Sequence, residues 1–346
     1  MEIANQLRWA VVVLAATCSN LLAQQNQIVS IGHKAPVSFP YPYSAAVAAG
    51  DVVTLFTTAI DVPDAVATQT PLPTTLSGVS VLVRVIGALD TRGYPTSLPI
   101  LRITRVNMDP NGTCKTSPNT TVFCSHSEIT VQIPTEGVCA TPGPVTPPPC
   151  AANTANPPFI DYPPLLILNV KANGVTGPDL PVAHSGAPHI IESCDAMFGT
   201  QPFNSCHPLL THADGALVSA AAPAHVGETI TIYATGLGYS PGGPPTGTAT
   251  AKPGSIQPVD GLVGFTYAYP LEGYGTNVGA QTSTLVTPEW VGYTGGYVGL
   301  FQTNVRVPPA PGGVYPPCLQ VGTDLGGNTY VVTVAATSTV SICVQP

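Results

Sequence analysis

Charge is what this sequence has least of. Asp, Glu, Lys and Arg make up 8% of its 346 residues, against ~25% in an ordinary globular chain. Bases are scarcest: ten Lys and Arg stand against eighteen Asp and Glu, for a formal charge of −8. Beyond residue 200 only Lys252 and Arg306 remain. A chain that cannot neutralise a run of phosphates has no electrostatic hold on nucleic acid, so that partner is excluded. The one local excess, Arg84, Arg92, Arg102 and Arg105, falls on strand and loop positions that read as solvated. Long apolar runs are equally rare. After residue 23 nothing approaches the ~20 apolar residues of a spanning helix, so no membrane span is expected. Stretches with the 3.6-residue period of an amphipathic helix are missing as well.

Turn formers fill the space that charge leaves. The chain holds 34 Gly and 39 Pro, with β-branched runs between them that a disordered chain would lack. Two of those runs occur twice. Gly50-Asp51-Val52-Val53-Thr54-Leu55-Phe56-Thr57-Thr58-Ala59-Ile60 returns as Gly227-Glu228-Thr229-Ile230-Thr231-Ile232-Tyr233-Ala234-Thr235-Gly236-Leu237. Ile129-Thr130-Val131-Gln132-Ile133-Pro134 returns as Thr303-Asn304-Val305-Arg306-Val307-Pro308. The offsets are 177 and 174 residues, so order and spacing are kept along with pattern. Both segments alternate apolar and polar residues, the period of a half-buried strand. The chain therefore reads as two copies of one all-β unit.

Residues 1–23 read as a secretion signal. Arg8 supplies the early positive charge, 9–16 an apolar stretch, and Ala23 a small residue before a cut at Gln24. Acylation of Cys18 as a lipoprotein is the alternative, although Ala15 and Thr17 stand where such a cysteine usually has other neighbours. Nine cysteines become eight once Cys18 leaves with the signal: Cys114, Cys124, Cys139, Cys150, Cys194, Cys206, Cys318 and Cys343. An even number in an exported chain reads as disulfides, although eight cysteines allow 105 connectivities. Pairing by proximity joins Cys114 to Cys124, Cys139 to Cys150, Cys194 to Cys206 and Cys318 to Cys343.

Strands are predicted over 52–58, 79–85, 100–106, 128–133, 165–170 and 180–184, then over 230–235, 262–267, 302–307, 330–335 and 340–344. Short strands with turn signals between them, in units of this length, point to immunoglobulin-like sandwiches, here without the Cys–Trp–Cys core of antibody domains. The fold class is thus all-β, with two tandem immunoglobulin-like β-sandwich domains carrying disulfide-bearing loop insertions. The expected layout is a signal over 1–23, sandwiches over 24–185 and 216–346, and a connector over 186–215.

The repeated words resemble an exported module, the uncharacterised carboxy-terminal β-sandwich family of secreted acidobacterial proteins. The resemblance rests on Ala187-Pro188, His212-Ala213-Asp214-Gly215, Ser219-Ala220-Ala221, the stretch from Gly227 to Gly238, the stretch from Val298 to Pro308 and the closing Val344-Gln345. Residues 70–79 and Gln132-Ile133-Pro134 look like a more diverged copy, and insertions at 107–127, 139–160 and 309–328 depart from the pattern. The resemblance implies export and a tandem immunoglobulin-like architecture, and no activity.

Few constellations carry chemistry. Gly238-Tyr239-Ser240-Pro241-Gly242 has the spacing of a nucleophile elbow, but the prolines that follow cannot open the helix that motif needs. His184, His189, His207, His212 and His225 fall within 42 residues, beside Glu192, Asp195 and Asp214. These types can ligate zinc or copper, yet no spacing matches a compact metal motif, and interdomain polar packing is the other reading. Asp61 with Asp64, and Glu192 with Asp195, are the close carboxylate pairs. A loop rim, weak calcium binding or a stapled connector suits them better than hydrolysis. Asn111 and Asn119 open glycosylation sequons. Aromatic residues crowd one stretch of the second unit: Tyr267, Tyr269, Tyr274, Trp290, Tyr293 and Tyr297. Exposed rings there would make a glycan or protein platform, and buried ones a core.

No catalytic, cofactor or metal site is therefore assigned. The expected function is a non-catalytic exported structural or adhesive protein, with a self-assembling filament or surface-matrix subunit as a specific form. Residues 24–30, extended and uncharged, are the candidate strand for pairing with a neighbouring copy. The alternative is a carbohydrate-binding module using Tyr267, Tyr269, Trp290, Tyr293 and Tyr297, which makes an extracellular glycan the partner in place of protein.

Overall fold

A computed structural model describes residues 26–34, 43–44, 46–86, 96–107, 125–135, 165–183, 188–198, 207–238, 243–255, 263–267, 282–310, 313, 330–334 and 338–346. The chain is all-β: among the described residues the single helical element is the 3-10 turn Ala196–Phe198. No helix among them is long and apolar enough to cross a membrane. The expected signal, the Cys18 alternative and both sequons lie outside the described residues.

The first half holds two sheets. One runs Tyr43–Ser44, Ile28–Gly32, Val52–Thr58, Ser125–Gln132, Ile100–Asn107, Ala65–Val66. The other runs Val175–Thr176, Leu165–Ala172, Ser80–Ile86, Ser97–Leu98, with Leu180–Ala183 also on Leu165–Ala172. Alternate residues of each strand meet between them. Val53, Leu55, Ile129 and Val131 of the first sheet share one apolar cluster with Val81, Val83, Leu166, Leu168 and Val170 of the second. The period-2 pattern thus becomes a two-layer core. Asn173 and Gly174, both with positive φ (52° and 77°), make the tight turn between Leu165–Ala172 and Val175–Thr176.

The second half repeats the arrangement. One sheet runs His189–Ile190, Thr229–Thr235, Phe301–Arg306, Trp290–Tyr293, Gly254–Ser255, with Leu210–Thr211 also on Thr229–Thr235. The other runs Thr282–Val286, Val263–Tyr267, Tyr330–Val334, Ser338–Ile342, and Ala224–His225 pairs in parallel with Val344–Gln345. Ile230, Ile232, Val305 and Val307 meet Val263, Val340 and Ile342 in a separate cluster.

The duplicated words are paired with each other in both halves, and in the same register. Val52 through Thr57 face Gln132 through Ser127. Thr229 through Ala234 face Arg306 through Phe301, the same pairs shifted by the sequence offsets of 177 and 174. Outer neighbours correspond too: Ile31 faces Leu55 as Leu210 faces Ile232.

Two expectations change. Residues 26–30 are not a spare strand. Ile28–Gly32 pairs antiparallel with Val52–Thr58 and is buried, and the Asn26 side chain donates to the carbonyls of Ala172 and Val175 at 3.2 and 2.8 Å. An uncharged, β-branched strand is as good an inner partner as a donated one, and its own core takes it first. The segment expected as connector, in turn, contributes His189–Ile190 and Leu210–Thr211 to the second half's sheet. Its intervening turn reaches back to the first sheet, where Ala196 packs on Val29 and Phe56. That cover explains why Val52–Thr58 is buried on both faces rather than alternately.

Candidate functional site: an imidazole–carboxylate seam

The densest polar cluster lies where the halves meet. His33 follows the end of Ile28–Gly32, and Asp51 precedes Val52–Thr58, so adjacent strands bring them together. The His33 Nε2 donates to Asp51 Oδ1 at 2.9 Å, and Asp51 is 1% exposed. From the second half, the Thr235 hydroxyl donates to the same oxygen at 2.6 Å. His189 Nε2 donates to Asp195 Oδ2 at 2.8 Å, and the Glu192 N–H reaches that oxygen at 2.9 Å. The His33 and His189 rings stack, centroids 3.6 Å apart and planes 10° from parallel. Lys34 and Glu192 pair at 2.5 Å beside them. Asp51 Oδ2 and Asp195 Oδ1 are buried without a hydrogen-bond partner.

Two buried carboxylates make the protonated imidazole the favoured form at this place. Burial by itself depresses His33, but the charge and hydrogen bond of Asp51, with Asp195 adding, outweigh it and hold the imidazole above its ordinary value; Lys34 opposes. Burial likewise pushes Asp51 up. The charge and hydrogen bond of His33, the Thr235 hydroxyl and the charge of His189 outweigh it and hold the carboxyl below its ordinary value. Asp51 therefore answers to an imidazole from each half, His33 by contact and His189 by charge.

Backbone contacts surround it. Ala196 N–H donates to the His33 carbonyl at 2.6 Å, Gly238 N–H to Ala49 at 3.1 Å and Leu72 N–H to Gly247 at 2.7 Å. Gly247 N–H donates to Gln132 Oε1 at 2.6 Å, and Thr135 N–H to Thr246 Oγ1 at 2.8 Å. Glycine permits this closeness. A Cβ on Gly299 (φ +68°) would stand 2.7 Å from Val52 Cγ2, and one on Gly236 (φ +78°) 2.9 Å from the Ala48 Cβ. Among the described residues each imidazole is hydrogen-bonded to a carboxylate and to no hydroxyl or thiol. The Thr235 hydroxyl is held by Asp51 and is fully buried between the halves, at 0% exposure.

The residues singled out by sequence scatter. Cys194 and Cys343 are buried, and each is disulfide-bonded. Cys114, Cys124, Cys139, Cys150, Cys206 and Cys318 lie outside the described residues, so no pairing is assigned. Tyr293 does not serve a surface platform. It is 5% exposed and packs on Phe301 at 4.6 Å between centroids, because three residues along a strand from Trp290 it points to the other face. Trp290 is half-buried with its ring over Gly292, and Tyr297 is 64% exposed. Tyr267 ends the strand Val263–Tyr267, while Tyr269, Tyr274 and residues 239–242 of the elbow-like motif lie outside the described residues.

Among the described residues no group of three His, Cys, Asp or Glu is arranged to hold a metal. The histidine window instead splits, with His189 on Asp195 and His212 on Glu228. Asp61 and Asp64 both engage Arg105, and Arg84 pairs with Asp179. His33 and Asp51 escaped sequence reasoning. The available signal was a histidine preceding each repeated Gly-acid pair, His33 before Gly50-Asp51 and His212 before Gly227-Glu228.

No family model and no curated protein matches the chain. One solved structure that resembles it is described as "FdeC, a Novel Broadly Conserved Escherichia coli Adhesin Eliciting Protection against Urinary Tract Infections", at 12% identity and a TM-score of 0.16. The likeness covers 92% of this chain and 63% of that one, so the chain spans less than two thirds of its length. At that TM-score nothing about fold or role is drawn from it.

Proposed function

We propose that the chain is a non-catalytic, exported structural or adhesive protein built of two immunoglobulin-like units, working as a subunit of an extracellular filament or surface matrix. The supporting observation is the seam. Two buried carboxylates with two stacked imidazoles, an arrangement costly to desolvate, fix one β unit against another. A protein that transmits load or presents a surface gains from such a junction, whereas a flexible tether would need none of it. Export, disulfide pairing of the remaining cysteines and the acidobacterial family resemblance belong to the same proposal.

The test is the particle-size distribution of the oxidised protein beginning at Gln24, by light scattering over a concentration series beside electron microscopy. Ordered filaments or sheets are expected. Dispersed single particles at every concentration would remove the assembly form of the reading. The exposure of Tyr297 and part of Trp290 favours glycan recognition as the second reading. Trp290→Ala should then abolish binding to at least one member of a polysaccharide panel; unchanged binding across the panel would remove it.

A further inference from the structure

The His33–Asp51 pair has a counterpart at the far end of the second half. Gly32 faces Thr54 as Thr211 faces Thr231, so the next residues, His33 and His212, hold equivalent places. Asp51 and Glu228 each follow a glycine with positive φ, Gly50 at 75° and Gly227 at 81°. Asp51 N–H donates to Ala48 at 3.2 Å and Glu228 N–H to His225 at 3.0 Å. Ile133 N–H donates to the Asp51 carbonyl at 2.7 Å and Val307 N–H to the Glu228 carbonyl at 2.8 Å. His212 Nδ1 binds Glu228 Oε1 as His33 Nε2 binds Asp51. The turn and the imidazole–carboxylate pair have both been duplicated.

In the first half this end is covered by the second half. In the second half the same end has no β unit against it among the described residues. Asp214, His225, Glu289 and Arg306 are exposed there, and so is Leu217, at 52%. The contact inside the chain joins the His–carboxylate end of one unit to the opposite end of the next. It is a head-to-tail contact between different surfaces, which does not close on itself.

We propose that the His212–Glu228 end docks a second copy of this chain through the opposite end of its first half, where Asp61, Asp64 and Arg105 lie. This rests on the self-assembly reading above and names its surface. The occupant follows from three observations. The equivalent surface is filled, within this chain, by the opposite end of a unit of the same kind. Thr58 stands in the first half where Thr235, the hydroxyl donor to Asp51, stands in the second. Each end also carries an exposed ion pair, Asp61 with Arg105 at one and Glu289 with Arg306 at the other, whose members can exchange partners across a contact. Ala59 and His225 stand where the seam has Gly236 and Ala48, so two copies approach less closely than the two halves do. The contact between copies is accordingly the weaker and reversible one.

The test is sedimentation of the oxidised protein from Gln24 across a concentration series, with two variants that leave both imidazole–carboxylate pairs intact. Asp61→Arg blocks one end, and Leu217→Glu with Arg306→Glu blocks the other. All three positions are exposed, so unchanged melting temperatures will show that the variants fold. Wild type should grow with concentration without a plateau. Each variant alone should associate at least about tenfold more weakly, since like charges across a contact cost several kcal/mol. Mixed, the two variants should regain association, because Asp61→Arg then faces Arg306→Glu with opposite charges while the unaltered ends still match; a mixture that associates no better than either variant alone would count against the docking surface. Variants that grow like wild type would overturn the docking surface and leave the assembly reading standing, whereas a wild type that stops at a closed dimer would overturn both. A wild type that stays monomeric in sedimentation, with no particles by microscopy, would overturn both.

Discussion

Asp51→Ala removes the acceptor that serves His33 and Thr235 from opposite sides of the seam. Both partners would be left in a site where Asp51 itself is 1% exposed, so little water compensates. Breaking a buried pair by deleting one member costs ~3–5 kcal/mol, because the survivor stays desolvated. A unit of this size loses ~2–4 °C of melting temperature per kcal/mol, which makes the expected fall roughly 6–20 °C. The loss falls on docking rather than on either core, since Asp51 sits outside both apolar clusters. Differential scanning calorimetry of the oxidised protein should therefore show the wild-type transition broaden or split in the variant, one component for each half. Asp51→Asn keeps the shape and the Oδ1 acceptor while removing the charge, and should cost less, ~1–3 kcal/mol. Thr235→Val combined with Asp51→Ala should cost less than the sum of the two single changes, with a coupling of ~0.5–3 kcal/mol. An Asp51→Ala variant melting in one transition within about 1 °C of wild type would refute the reasoning, since the seam would then carry none of the stability assigned to it.

The seam should respond to pH with a definite sign. His33, raised in the folded protein, contributes fully below the ordinary imidazole value of ~6.5, and that contribution is lost as pH rises through its raised value. Asp51, lowered in the folded protein, contributes above the ordinary carboxyl value of ~3.9, and that is lost as pH falls through its depressed value. Denaturant midpoints should thus be highest between about pH 4 and 6.5 and decline on the alkaline side, and Asp51→Asn should flatten the decline. Gly299→Ala places a Cβ at 2.7 Å from Val52 at a positive φ, and should cost ~2–4 kcal/mol from strain and overpacking together. Gly78→Ala, with φ +75° but open space around it, should cost only ~1–2 kcal/mol in the same urea titration. Tyr293→Ala should cost ~3–5 kcal/mol as a core aromatic, whereas Tyr297→Ala should stay within about 0.5 kcal/mol of wild type.

The strands were legible because their residues alternate. Val53 and Leu55, or Ile230 and Ile232, announce one buried face each, and the repeated words proved to be the two members of one ladder in each half. Ile28–Gly32 was misread because alternation cannot say whose sheet an uncharged strand will join; that is settled by the open edge of Val52–Thr58 nearby. Of the seam, His189 and Asp195 stood out in the histidine window, for which interdomain polar packing was one reading. His33, Asp51 and Thr235 are ordinary in their local sequence. They meet only because two sheets are set end to end and a turn at Ala196–Phe198 reaches back across the boundary. The aromatic cluster misled for a related reason: spacing along the chain does not tell which side of a strand a ring takes until the register places Tyr293 opposite Phe301.

The central claim is that the two β units move as one body through the His33, Asp51, His189 and Asp195 seam. Residual dipolar couplings of backbone amides, measured separately for the two halves at pH 6, test it most directly. One alignment tensor, equal in magnitude and orientation for both halves, is the predicted result, with Asp51→Ala separating them. Two tensors of different magnitude in the wild type would mean that the halves swing independently, and would contradict the account.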